Sequence, residues 1–393
     1  MLSLLLFFTL LLSSKLMFFS VLGFNSNAMF LASIFLVVLI VCSTRVRFNK
    51  LNILVLSFSL ISFFIFNMVK YSGDLVFPFG YYPTDMFIIL SLFFVFFSNG
   101  KVLFKGLNYY LNFMALSLVI GIFLYLLFTF DLIKPIGVVS AVDHASSAGY
   151  LNLYYFSYLP SWIEMKFSGL TIYRFSGVFW EPGTMALYLI MFITIDFCFL
   201  RVIRSRWITF RLFVYFISGF FSFSALFILM APFLVFIYLI IKKKYFVIIA
   251  CSCVVILFAF IFFDIVNQLI LYRFHYDPVR GFVGNTRATI YSDFIQSFSQ
   301  LPILNLFFGS GPDLTNTGVT VSFFTKIYQR GIIGTVMILV PFLILYFKSS
   351  SVIRLILLPF IISLLTLTQI EGVLSFLLFV ILIKPSKDRY VIS

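Results

Sequence analysis

Apolar runs close to the roughly 20 residues needed to span a bilayer recur along the whole 393-residue chain, separated by short basic segments. That alternation constrains the fold more than any single motif does. A helix buries its backbone polar groups within itself, so it can lie in hydrocarbon, and basic connections hold the ends of such helices on the cytoplasmic side.

Residues 2–22, 28–42, 51–69, 84–97, 107–130, 184–200, 245–263 and 327–347 each read as one helix. Residues 212–241 and 355–383 are long for one crossing and short for two. Charge decides between the two. Arg201, Arg204, Arg206 and Arg211 precede the first stretch and Lys242, Lys243 and Lys244 follow it. Lys348 and Arg354 precede the second, and Lys384, Lys387 and Arg389 follow it. With both flanks cytoplasmic, each stretch crosses twice. The expected turns are near Ser222–Ser224 and near Thr368–Gly372. The expectation is an all-α, polytopic integral membrane protein of about twelve spans, one membrane domain over residues 1–393, with both termini cytoplasmic.

Composition excludes the alternatives. The chain is 63% hydrophobic and 10% charged, with 58 phenylalanines, whereas soluble domains are about half apolar and about a quarter charged. Its net charge of +14 lies mainly between apolar runs, where it sets topology, so no nucleic-acid partner is expected. Cys42, Cys198, Cys251 and Cys253 all fall within apolar runs and read as small hydrophobes. The first run resembles a signal-peptide core, but no basic residue precedes it and no clear cleavage site follows, so it reads as a retained helix. Asp196, inside a helix near its inner end, is expected to reach toward the interface near Arg201 as a structural group.

Two connections are long, residues 131–183 and 264–326, and alternation puts both outside. Loops of this length are usually functional or disordered, and these carry aromatics, glycine, proline and most of the outside charge. The first ends in Tyr173-Arg174-Phe175-Ser176-Gly177-Val178-Phe179-Trp180-Glu181-Pro182-Gly183, directly against a helix. Arg174 can bind an anion and Glu181 can move a proton. The bland alternative is a capped helix start, with Pro182 in its first turn and Arg174–Glu181 as an ion pair. Upstream, Tyr150, Tyr154, Tyr155, Tyr158 and Trp162 suit either sugar stacking or an interfacial belt. The second loop carries Arg273, His275, Asp277, Arg280 and Arg287, with Pro278, Gly281 and Gly284 between them. An amphipathic helix lying on the membrane surface is expected from Asn285-Thr286 to Pro302, its N-terminus beside Arg280 and Arg287 as a phosphate cradle or, alternatively, as a basic patch on lipid headgroups. Two distant histidines and no close acid pair offer no local metal site.

The run from Arg174 through Ser176, Gly177, Phe179, Glu181 and Pro182 resembles the Arg-x-Ser-Gly-x-Phe-x-Glu-Pro element of O-antigen polymerases, the Wzy family. The arginine-bearing second loop, the turn at Gly309 and Gly311, and Arg330-Gly331-Ile332-Ile333-Gly334 opening the next helix are similar too. Arg273 and Gly284 meet an Arg-x10-Gly pattern of that family's second loop. The resemblance implies a glycosyltransferase of the bacterial inner membrane. It would join undecaprenyl-diphosphate-linked oligosaccharides into lipopolysaccharide O-antigen or capsule on the periplasmic face, without metal or cofactor. It also implies Arg174, Arg280 and Arg287 on the diphosphates, and Glu181 or His275 as base for the acceptor hydroxyl. Membrane lipid and a chain-length regulator protein would be its partners. The related O-antigen ligases carry a His-Asn pair where Thr320 and Val321 stand here. A transporter or flippase of the same lipid-linked sugars would place charges along its helices instead.

Overall fold

The computed structural model describes residues 2–14, 16–22, 100–139, 149–161, 164–167, 170–179, 181–200, 205–247, 276–277, 281–282, 298–309 and 322–366, with scattered single residues elsewhere. Most of them are helical. The chain divides into two compact units. One comprises Met1–Leu56, Pro78–Ile228 and Glu371–Ser393, and the other Ser57–Phe77 and Leu229–Ile370.

In the first unit the elements are α1 (Leu2–Ser13), α2 (Met17–Val21), α3 (Gly100–Thr129), β1 (Gly137–Val139), β2 (Tyr150–Leu153), β3 (Ser157–Pro160), β4 (Glu164–Phe167), β5 (Leu170–Tyr173), α4 (Pro182–Leu200) and α5 (Arg206–Phe221). Helix α6 (Ala225–Ile241) follows. Among the described residues, two stretches are long and apolar enough to cross a membrane, Phe104–Thr129 in α3 and Pro182–Leu200, which is α4.

The expected single helix over residues 2–22 is instead two. Ser14 interrupts it: its hydroxyl donates to the Leu10 carbonyl at 2.6 Å and meets the Tyr110 hydroxyl of α3 at 2.6 Å. The Met17 amide then leaves the helical path for the Val178 carbonyl at 2.9 Å. A serine that bonds the preceding turn competes with the helix it sits in. At 12 residues, about 18 Å at 1.5 Å per residue, α1 alone falls short of a crossing.

The stretch 212–241 does break as expected. Helix α5 ends at Phe221, Ser222 caps it, and α6 begins at Ala225. The Ser222 hydroxyl bonds back to the Gly219 carbonyl and accepts from the Ser224 amide, which stabilises the turn. Gly219 is needed there, since a Cβ would lie 2.1 Å from the Phe227 ring.

The first long loop runs between the end of α3 at Thr129 and the start of α4 at Pro182, and its described residues are not helical. Strands β1, β2 and β3 form an antiparallel sheet, with Tyr150 opposite Pro160 and Asn152 opposite Tyr158. Strands β4 and β5 form a second pair, Glu164 opposite Tyr173. The all-helical expectation therefore holds for the bulk of the described residues and gives way in this loop.

The second unit contains β6 (Tyr276–Asp277), β7 (Gly281–Phe282), α7 (Ile303–Phe308), α8 (Ser322–Lys348) and α9 (Ser351–Thr366). Strands β6 and β7 pair antiparallel. Helix α8 kinks at Gly331, which has φ +68 and ψ 179. A Cβ there would fall 2.2 Å from the Phe307 carbonyl oxygen of α7. The expected helices at 28–42, 51–69, 84–97 and 245–263 and the amphipathic helix after Thr286 lie mostly or wholly outside the described residues, as does the turn near Thr368.

Candidate functional site

The segment 174–182 joins β5 to α4, and its backbone is held at nearly every residue. The Phe175 amide donates to the Phe221 carbonyl at the end of α5 (3.0 Å). The Gly177 carbonyl accepts from the Tyr158 amide, and the Val178 carbonyl from Met17, both at 2.9 Å. The Ser176 hydroxyl donates to the Tyr158 carbonyl. Gly177 takes φ +55, and a Cβ there would sit 3.0 Å from Leu118 of α3. That left-handed geometry is one glycine adopts without penalty.

Packing completes the hold. Phe175 is fully buried, its ring 5.5 Å from that of Tyr125, which lies equally far from Phe221 on its other contact. The Tyr125 hydroxyl donates to the Tyr173 carbonyl at 2.9 Å. Phe179 packs on Tyr188 of α4 with centroids 4.9 Å apart.

Arg174 and Glu181 mark the two ends of this connector. Arg174 is partly buried, and its Nε donates to the Ser222 carbonyl at 3.0 Å. A helix C-terminus presents unpaired carbonyls and a partial negative charge, so α5 holds and orients the guanidinium. Glu181 is exposed and immediately precedes Pro182, the first residue of α4, and its carbonyl accepts the Met185 amide at 3.0 Å. A helix N-terminus favours a carboxylate. Each charge therefore sits at a helix end of complementary dipole. Chemically, a guanidinium fixed through Nε can bind an oxyanion through its planar edge, and an exposed carboxylate can accept a proton from a hydroxyl. Pro182 in the first turn matches the helix-start reading of the sequence.

The aromatic run separates into two kinds of residue. Tyr150 and Tyr158 are fully buried and pack together with Met17. Burial pushes the Tyr150 phenol well above its ordinary range, and the Glu181 carboxylate adds to the shift. Tyr154 and Tyr155 are exposed at the hairpin tip, with φ +50 and +67. The Asn152 side chain accepts the Tyr155 amide at 2.9 Å there. Trp162, His275, Arg280 and Arg287 lie outside the described residues.

One polar cluster lies elsewhere. Asp196 of α4 and Arg211 of α5 form a fully buried, two-pronged pair, Nη2 to Oδ1 at 2.6 Å and Nε to Oδ2 at 3.0 Å. Nη1 donates to the side-chain oxygens of Asn108 at 2.5 Å and Asn112 at 2.8 Å, both on α3. This corrects the expectations for both residues. Arg211 lies inside α5 and not in a cytoplasmic connection, because Ser205 caps the helix and starts it at Arg206. Asp196 accordingly meets Arg211 and does not reach for the interface. An acid within an apolar run needs a cation, and Asn108 and Asn112, one helical turn apart on α3, supply the remaining acceptors for it.

In comparisons with known proteins, no family model, no curated protein and no solved structure matches this chain.

Proposed function

We propose that the chain is a polytopic membrane protein of about twelve spans that polymerises lipid-linked oligosaccharides at the periplasmic face of the bacterial inner membrane. The observation that supports this reading most is the rigid connector 174–182. It carries the residues that resemble the polymerase element, and it places a partly buried arginine and an exposed carboxylate at the ends of α5 and α4.

The reaction requires the growing glycan to leave undecaprenyl diphosphate and join a sugar hydroxyl of the next lipid-linked unit. Departure of a diphosphate needs positive charge at its oxygens, which Arg174 can supply as a planar, permanently charged donor. Arg280 and Arg287 of the second loop are likewise assigned to diphosphate binding. Glu181, or His275, takes the proton of the attacking hydroxyl, and each role follows from its chemistry and its place in a long outer loop. Chain growth then proceeds at the membrane surface, with the polyprenyl tails in lipid or between helices.

The transporter alternative expects charged groups along a pathway through the helices. The charged pair within the described helices is Asp196–Arg211, and it is bonded into a closed group with Asn108 and Asn112. Deleting the gene tests the choice. A polymerase deletion leaves lipopolysaccharide or capsule with a single repeat unit attached. Loss of every attached sugar, the single unit included, would favour the ligase or the flippase.

A further inference from the structure

Helix α5 joins the buried ion pair to the connector. Arg211, Tyr215, Ser218 and Ser222 recur at helical spacing, and all four are buried. At one end of this stripe Arg211 is tied to Asp196 on α4 and to Asn108 and Asn112 on α3. One turn on, the Tyr215 hydroxyl donates to the Leu111 carbonyl of α3 at 3.0 Å. At the other end, the Ser222 and Phe221 carbonyls receive the Arg174 Nε and the Phe175 amide. We propose that Asp196, Arg211, Asn108 and Asn112 form a register lock that positions Arg174.

The physical argument is one of directionality. Apolar contacts between helices tolerate small slides and rotations, because one ring replaces another at little cost. Moving α5 along its axis by one residue shifts it about 1.5 Å and turns it about 100°. Such a slip would break a two-pronged pair that is fully buried and two bonds to partly buried amides at once, and a buried charge left without its partner is costly. Four donor–acceptor distances of 2.5–3.0 Å therefore specify one register among α3, α4 and α5. Because the same rod ends in the carbonyls that hold Arg174, that register is passed to the guanidinium. Buried ion pairs contribute little net stability against apolar replacements of similar size, and fixing a register is their best-attested use. These four residues are positioning groups and touch no substrate.

The inference rests on Arg174 being the anion-binding group, so its test separates geometry from activity. The purified full chain would carry Arg174→Cys with Cys42, Cys198, Cys251 and Cys253 replaced by serine, and the rate of modification by a small methanethiosulfonate would be measured. The apolar pair Asp196→Leu with Arg211→Met is then introduced, and separately Asn108→Leu with Asn112→Leu, which leaves the ion pair in place. The expected result is that at least one combination accumulates and melts like its parent, while modification at position 174 speeds up at least fivefold. The same combination with Arg174 retained should extend glycan at least tenfold more slowly. A parental modification rate in a well-folded combination overturns the lock. Failure of both combinations to accumulate also overturns it, by assigning the cluster to folding alone. Faster modification with undiminished chain extension would uphold the lock and remove Arg174 from the reaction.

Discussion

The Nε of Arg174 lies 3.0 Å from the carbonyl oxygen of Ser222, so the residue ending one long connector is oriented by the end of a helix 48 positions further along the chain. Sequence distance hides this relationship, and it sets the terms for replacing Arg174. Alanine should abolish long glycan chains while the protein still accumulates. Loss of a buried anion contact is worth about 2–5 kcal/mol, more than tenfold in rate. The helix-end bond should cost only about 1 kcal/mol of stability. Lysine should restore activity in part, since a point charge lacks the planar fork. Chain length on gels beside an Arg204→Ala control checks this, and wild-type chains from Arg174→Ala would remove the mechanism.

Glu181→Gln keeps size and hydrogen bonding but cannot take a proton. If Glu181 is the base, turnover should fall by about 100-fold or more, with binding of the lipid-linked substrate retained. Glu181→Asp should recover part of the rate. Equal activity of glutamine and glutamate would pass the role to His275.

Single and paired replacements at the buried ion pair should differ in size. Arg211→Leu alone strands a buried carboxylate and should destabilise by about 3–5 kcal/mol. Combining it with Asp196→Leu should recover most of that loss. Thermal unfolding of the three proteins in one detergent measures it, and equal melting of single and double variants would contradict a buried charge pair.

Gly331→Ala should impair folding through backbone alone. Its φ of +68 and the Phe307 carbonyl 2.2 Å from the added carbon leave the methyl no place. The conformational part costs about 1–3 kcal/mol, and the clash adds to it. Gly183→Ala, at the start of α4 with nothing within 4 Å of the added carbon, is the matched control. Accumulation of both at the wild-type level would dispose of the kink at Gly331.

Topology is open to reporter fusions. Fusions after Lys70, Lys166 and Gln300 should report the periplasm, and those after Lys101, Arg206, Lys243 and Lys387 the cytoplasm. A cytoplasmic signal at Lys166 or Gln300 would displace the proposed site from the face where its substrates are expected.

What could be read from the sequence was whatever depends on local pattern. Charge on both flanks of residues 212–241 required a turn, and Ser222–Ser224 were the polar residues able to form it. Pro182 marked the start of α4 because proline fits a first helical turn. Pairings between distant segments were beyond such reading. Arg211 resembled the other loop arginines, and only the cap at Ser205 draws it into the helix. The strands of the first loop carry one local signal. In the sequence, the Ser-Gly pair at 168–169 between two apolar runs is a turn signal. The break at Ser14 depends on Tyr110, far along the chain, and no local rule supplies it.

Helices α5 and α6 have 16 and 17 residues, about 24–26 Å at 1.5 Å per residue, against a hydrocarbon layer of about 30 Å. If the two cross the bilayer as proposed above, a hairpin that short leaves a mismatch, and lipids around it thin to meet its ends. The bilayer surface would then dip toward Ser222, and Arg174 would stand at the floor of a shallow depression, level with headgroups that elsewhere lie higher. Reconstitution into vesicles of graded acyl length should therefore favour the shorter chains, and native membrane around the protein should be locally thin.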